Sequence, residues 1–324
     1  MRPLTYLEAI REAHLEEMAR DPRVIAIGED IGAYGGAFKV TEGLLERFGK
    51  DRVIDTPIAE SMIVGVSIGA AIRGLRPVAE MQFADFVTCG FSQLVANAAT
   101  FHYRLEVSVP MVVRLPSGGG VGGGPYHSRN PEAWFTHAPG IKVVAPATPA
   151  DAKGLLIASI RDPDPVIYLE QKWLYRREKG DVPEGDYEVP LGKARIAREG
   201  HHATLVAYAN TVPMALEAAL RVANDGYEVE VIDLRTLMPW DWQTVLSSVE
   251  KTGRLLLASE ATRTGGFISE VAATVADLGF ELLDAPILRV TALDAPTPAE
   301  KGLEDYFRPN ADKIERSLRT LLTY

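Results

Sequence analysis

Short apolar runs rich in β-branched residues alternate with longer stretches of helical periodicity along this chain, a pattern that calls for parallel sheets wrapped by helices. Thr5 and Glu8 form a capping box, and Tyr6, Ile10, Ala13 and Met18 supply the apolar stripe of an opening helix. Strands are predicted at Val24–Ile27, Val53–Asp55, Pro77–Phe83, Met111–Leu115, Lys142–Ala145 and Val166–Glu170, with helices over Ala59–Arg73, Phe86–Tyr103 and Pro149–Ile160. Between Arg176 and Pro190 the sequence turns polar, and Gly180, Pro183, Gly185 and Pro190 mark a connector. The alternation then resumes with strands at Thr204–Tyr208, Val229–Leu234, Leu255–Ser259 and Ile287–Thr291, separated by helices at Val212–Asn224, Trp242–Glu250 and Gly266–Asp277. The expected organisation is two doubly wound α/β domains, residues 1–180 and a smaller 191–324, joined by a linker at 181–190.

Size agrees: 324 residues is about twice a typical ~150-residue domain. A net charge of −10, from 34 Lys and Arg against 44 Asp and Glu, argues against a nucleic-acid binder. The single cysteine, Cys89, excludes an intrachain disulfide framework and any multi-thiolate metal site, and fits a reducing compartment. No apolar run reaches the ~18 residues that span a bilayer, and Glu8, Glu12, Glu16 and Glu17 stand where a signal peptide would be apolar, so a cytoplasmic protein without a membrane partner is expected.

Two motifs invite a wrong reading. Gly118, Gly120 and Gly123 satisfy G-x-G-x-x-G after a strand, but Pro125, Tyr126, His127 and Ser128 follow where a dinucleotide fingerprint needs a helix. The segment is a flexible loop or a mobile active-site loop. Gly65, Ser67 and Gly69 match the nucleophile elbow of hydrolases, yet they lie inside the predicted helix Ala59–Arg73, where small residues serve close packing. His127 with His137, and His201 with His202, lack acids or thiols at zinc-ligand spacing, and the second pair reads as a turn before a strand.

The stretch Asp55-Thr56-Pro57-Ile58-Ala59-Glu60 ends a strand and begins a helix, which places Glu60 at the carboxyl end of the sheet, where open α/β folds bind ligands. Such a Glu is commonly a solvated, dipole-favoured residue. Ile58, Ala59, Met62 and Ile63 offer the alternative of a desolvated carboxyl with a raised pKa, able to share a proton with a heterocycle nitrogen. The residues alone leave both open.

Four runs narrow the choice: GEDIGAYGGAFKVTEGL, DTPIAESMIVGVSIGAAIRGLRPVAEMQFADF, YHSRNPEAWFTHAPGIKVVAPATPADAKGLL and IRDPDPVIYLEQKWLYR. Together with VIDLRTLMPWD and TGGF in the second half, they closely resemble the beta subunit of thiamine-diphosphate-dependent 2-oxo acid dehydrogenases, over nearly the whole chain. The resemblance implies a pyrimidine-binding domain followed by a transketolase C-terminal-like domain. It implies that Glu60 hydrogen-bonds the aminopyrimidine of the cofactor, that Phe86 stacks on that ring, and that Gln82 and Ile58 line its pocket. Phe86 could otherwise be plain core. His127 corresponds to a histidine that handles the 2-oxo acid and acyl transfer to a lipoyl arm, and His137 either supports the same loop or caps local backbone. A potassium ion held by main-chain carbonyls is implied at Ser159, Ile160, Asp162 and Asp164, with Met111 nearby.

The chain lacks the Gly-Asp-Gly and Asn-pair motif that holds diphosphate and magnesium in such enzymes. An alpha subunit is therefore expected to supply magnesium and half of the site, in a heterotetramer of two alpha and two beta chains. A lipoyl acyltransferase is the further partner, its basic docking domain suited to the acidic balance of this chain. Ser259 stands where the family pattern has histidine, and Arg129 where it has glutamine. Gln82-Phe83-Ala84-Asp85-Phe86 looks more like branched-chain members than pyruvate ones. The alternatives are a pyruvate or acetoin dehydrogenase beta subunit, or a non-catalytic scaffold that completes an alpha subunit's pocket.

Overall fold

A computed structural model describes residues 1–324, which divide into two compact units. One comprises Met1–Ser117 with Trp134–Leu191, the other Gly118–Ala133 with Gly192–Tyr324. The first contains β1 (Arg2–Thr5), β2 (Val24–Gly28), β3 (Val53–Asp55), β4 (Arg76–Glu80), β5 (Val112–Ser117), β6 (Lys142–Val144), β7 (Val166–Gln171) and β8 (Lys179–Val182). Strands β6, β7, β5, β4, β2 and β3 lie side by side in that order and run parallel. Each crossover that returns the chain in parallel needs a helix. Glu60–Ile72 joins β3 to β4, and Pro149–Arg161 joins β6 to β7. Every residue of β2, β5 and β7 is buried, as expected for strands covered on both faces. The opening helix Tyr6–Arg20 starts on the predicted capping box, with the Glu8 amide 3.2 Å from Thr5 Oγ1, and packs Tyr6, Ile10 and Met18 into the core with Leu155 and Tyr168.

Two features of this unit escape the hydrophobic pattern. The expected connector contains β8, which pairs antiparallel with β1, and its residues are mostly exposed or half-buried. The predicted helix Phe86–Tyr103 is a succession of a 3-10 turn at Ala84–Phe86, α-helix at Val87–Ser92, a wider π turn at Gln93–Ala98 and α-helix at Ala99–Leu105.

The second unit holds β9 (Arg195–Arg198), β10 (Ala203–Ala207), β11 (Val229–Asp233), β12 (Thr236–Met238), β13 (Leu255–Thr262) and β14 (Leu288–Ala292). Its sheet runs β14, β13, β10, β11, β9, parallel except for the edge strand β9. Two helices beyond the predicted pattern, Lys301–Phe307 and Ala311–Leu322, close this unit. The glycine segment Gly118–Ala133, early in the sequence, belongs here as well.

Candidate active site

The carboxyl ends of β4, β2 and β3, neighbours in the sheet, gather the polar residues of the first unit. Glu29 and Asp30 follow β2, Asp55 ends β3, and Glu60 opens the helix that follows β3. Gln82 and Phe86 follow β4. Local bonds fix this edge: Thr56 N donates to Gly28 O at 2.9 Å, and Gly32 N to Asp55 Oδ1 at 2.6 Å. Gln82 Nε2 donates to Asp30 Oδ2 at 2.9 Å.

Glu60 is half-buried at the first turn of its helix, where the dipole favours an anion. The apolar shell expected around it is only partly there. Ile63 is buried, but Met62 is exposed and Ile58 is 83% exposed. Its electrostatic neighbour is another acid. Glu29 is buried, its Oε1 lacks a hydrogen-bond partner, and its carboxyl is raised above the ordinary range by burial and then by the charge of Glu60. A buried acid that faces a second negative charge favours a neutral or cationic hydrogen-bond donor at this edge. Phe86 is half-buried and meets Phe83 edge-on at 5.7 Å between ring centres.

Sequence reasoning passed over Glu29 and Asp30, although their position at a strand's carboxyl end was a usable signal. It also passed over the buried cluster beneath them. Arg114 of β5 lies between Glu80 of β4 and Glu170 of β7, its Nη2 2.7 Å from Glu170 Oε2, and Tyr175 Oη donates to the same oxygen at 2.7 Å.

In the second unit, Gly118, Gly120, Gly122 and Gly124 all have φ between 66° and 84°, a left-handed region open to glycine at little cost. The segment leads only into a single 3-10 turn, Gly124–Tyr126, and not into the helix that a dinucleotide fingerprint needs. Two buried carboxylates from distant sequence hold it instead. Gly119 N donates to Glu260 Oε1 at 2.6 Å, and Gly120 N and Gly122 N donate to Glu304 at 2.7 and 3.1 Å. Arg308 Nη2 reaches Glu260 Oε2 at 2.7 Å, and Asn210 binds the same oxygen. Burial pushes the Glu260 carboxyl up, but Arg308, the Gly119 amide and Asn210 outweigh it and leave it below the usual range. The loop is therefore latched.

His127 sits on this loop, half-buried, with Nδ1 3.2 Å from Gly123 O. Arg129 is exposed, and its carbonyl accepts from Gly118 N at 3.0 Å. Ser259 is buried beside the Tyr208 hydroxyl. His137 lies in the first unit, where it lines a cleft of about 750 Å³ with Phe91, Tyr103 and Trp134. His202 Nδ1 accepts from Glu228 N at 2.8 Å, in the turn before β10. Ser67 is buried within its helix and donates to Ile63 O at 2.7 Å, so no elbow nucleophile exists there.

Glu132, at the end of the glycine segment, carries a pH signature. Burial pushes its carboxyl up to about 7, with the Glu260 charge adding and its own backbone amide and Tyr208 opposing. A carboxyl raised in the fold stays protonated where the unfolded chain has lost its proton, so it stabilises most below pH about 4.5 and loses that contribution as pH rises to about 7. Replacing Glu132 by Gln is expected to remove a pH-dependent stability difference on the order of 3 kcal/mol. Urea denaturation of the wild type and the variant across that window measures it.

The carbonyls of Ile160 and Asp162 already have a cationic partner, since Arg76 Nη1 donates to them at 2.6 and 3.1 Å. Asp162 and Asp164 side chains engage Lys142 Nζ at 2.7 and 3.4 Å, Ser159 Oγ donates to Leu155 O, and Met111 O accepts from Val166 N. No group of three or more His, Cys, Asp or Glu side chains is placed to hold a metal ion.

Residues 2–178 match the family "Transketolase, pyrimidine binding domain", and residues 192–314 match "Transketolase, C-terminal domain". The chain is 48% identical over 327 residues to the 2-oxoisovalerate dehydrogenase subunit beta of Bacillus subtilis (strain 168), covering 100% of both. The chain belongs to the beta subunits of thiamine-diphosphate-dependent 2-oxo acid dehydrogenases. This beta subunit is also 44% identical over 323 residues to the pyruvate dehydrogenase E1 component subunit beta of Acholeplasma laidlawii, covering 99% of this chain and 98% of that one. A solved "split gene transketolase, inactive beta4 tetramer" shares the fold, with a TM-score of 0.81 at 22% identity over 99% of this chain and 98% of that one. Membership of a beta-subunit family makes an alpha subunit its partner and thiamine diphosphate its cofactor.

Proposed function

We propose that this beta subunit assembles with an alpha subunit, as two alpha and two beta chains, to decarboxylate branched-chain 2-oxo acids oxidatively and acylate the lipoyl domain of an acyltransferase. What carries the reading is Glu60, a half-buried carboxylate at the sheet's carboxyl edge beside a buried, incompletely bonded Glu29. That pair suits a heterocycle nitrogen able to share a proton, and a half-buried Phe86 suits the face of a flat ring. Glu60 would hold the ring-nitrogen proton, Phe86 would stack, and Gln82 and the exposed Ile58 would line the ring's edge. Thiamine diphosphate, when bound, supplies the nucleophilic carbon and the electron sink for decarboxylation. Magnesium and the diphosphate would be held by the alpha subunit. His127, on the latched glycine loop, would move protons to and from the 2-oxo acid and the lipoyl arm. No helix is long and apolar enough to cross a membrane, and we place the complex in the cytoplasm, with the acidic surface meeting a basic docking domain.

The substrate class follows from the 48% identity to a 2-oxoisovalerate relative against 44% to a pyruvate one, together with Gln82-Phe83-Ala84-Asp85-Phe86. Co-expression with an alpha chain of the branched-chain type, followed by assays on 2-oxoisovalerate and pyruvate, tests it. A kcat/KM at least about 10-fold higher for the branched acid is expected, since a few methylenes in an apolar pocket are worth that much. Preference for pyruvate would overturn it.

A further inference from the structure

The turn between the helix Pro149–Arg161 and β7 is where the family resemblance implies a potassium ion, and the chain brings a cation of its own to that place. Arg76, half-buried at the start of β4, donates from a single nitrogen, Nη1, to Ile160 O at 2.6 Å and to Asp162 O at 3.1 Å. The two carboxylates of the turn are committed as well. Lys142 Nζ lies 2.7 Å from both Asp162 carboxylate oxygens and 3.4 Å from Asp164 Oδ2, while His102 Nδ1 is 2.7 Å from Asp164 Oδ1. Asp164 N donates back to Asp162 Oδ1 at 2.9 Å.

A dehydrated potassium ion needs a ring of oxygens to replace its water shell. Here the two carbonyls point at a guanidinium, which is charged at any accessible pH, and the two carboxylates share the Lys142 ammonium, with His102 Nδ1 against Asp164. We infer that Arg76 is a built-in substitute for the monovalent cation, and that it orders the turn Asp162–Pro165 without potassium. Being tethered, it cannot be lost by dilution or by exchange of salt. Its removal leaves carbonyl oxygens that a potassium-sized ion or a free guanidinium can bridge.

The test is thermal unfolding of the assembled alpha–beta complex in potassium chloride and in choline chloride at matched ionic strength. Wild type is expected to melt at the same temperature in both. Arg76→Ala is expected to melt on the order of 5 °C lower in choline chloride, with potassium or dilute guanidinium recovering at least about half of that loss. A saturable, potassium-specific rise for the wild type would overturn the inference. So would an unchanged melting temperature for Arg76→Ala in choline, or a loss that neither cation restores. Should Arg76→Ala fail to assemble, titration of the wild type with thallium(I) decides alone: no saturable binding is expected, and saturable binding refutes the substitution. None of these readouts depends on which 2-oxo acid the complex uses.

Discussion

Replacing Glu60 by Gln lowers the decarboxylation rate of the assembled complex by about 10²–10⁴-fold, the range for loss of a positioned acid–base group. The amide is the same size as the carboxylate and sits at the same helix start, so assembly should survive, which size-exclusion chromatography checks. What the variant cannot do is accept and return a proton. A second readout separates chemistry from packing. The Glu29 carboxyl is raised by burial first and by the Glu60 charge second, so neutralising position 60 should bring Glu29 down toward its ordinary range. The acid limb of any residual activity should shift accordingly. An unchanged rate in an intact complex would make the chain a scaffold and remove Glu60 from the chemistry.

The largest expected effect on stability lies at Arg114. Its guanidinium is 1% exposed and bridges Glu80, almost as deeply buried, and Glu170, fully buried, on the two flanking strands. Replacing it by Met leaves two buried carboxylates without their cation, a change that costs about 3–5 kcal/mol. That is a large part of the ~5–15 kcal/mol that holds a typical domain folded. Burial already pushes the Glu80 carboxyl up despite Arg114. In the variant Glu80 takes up a proton more readily, so stability is greatest at acid pH and falls as pH rises through its raised value. Urea midpoints near pH 5 and pH 8 should therefore differ more for the variant than for the wild type. A variant as stable as the wild type at both would show that the cluster contributes nothing.

What could be read from the sequence was what local chemistry determines. The Thr5–Glu8 box, the helix around Ser67 and the strand that puts Glu60 at the sheet edge all depend on neighbours a few residues away. Strand β8 could not be read, because an edge strand with exposed residues carries no buried alternation to detect. The partners of Arg76 lie 84 and 86 residues away, and Glu304 meets Gly120 across 184 residues. Nothing at position 76 distinguishes a guanidinium that fills a carbonyl cradle from one that faces water. The choice between a solvated and a desolvated Glu60 was illegible for a related reason. Sequence tells that Ile58 and Met62 are apolar, but not that they face outward, and the neighbour that shapes Glu60's surroundings is an acid from another strand.

The polypeptide passes between its two units at residues 117/118, 133/134 and 191/192. A fragment cut after residue 180 would keep the left-handed glycines and lose Glu260 and Glu304, the carboxylates that grip them. No single break in the gene gives two self-sufficient halves, so a chimera that borrows one unit from a relative must be spliced at three junctions rather than one.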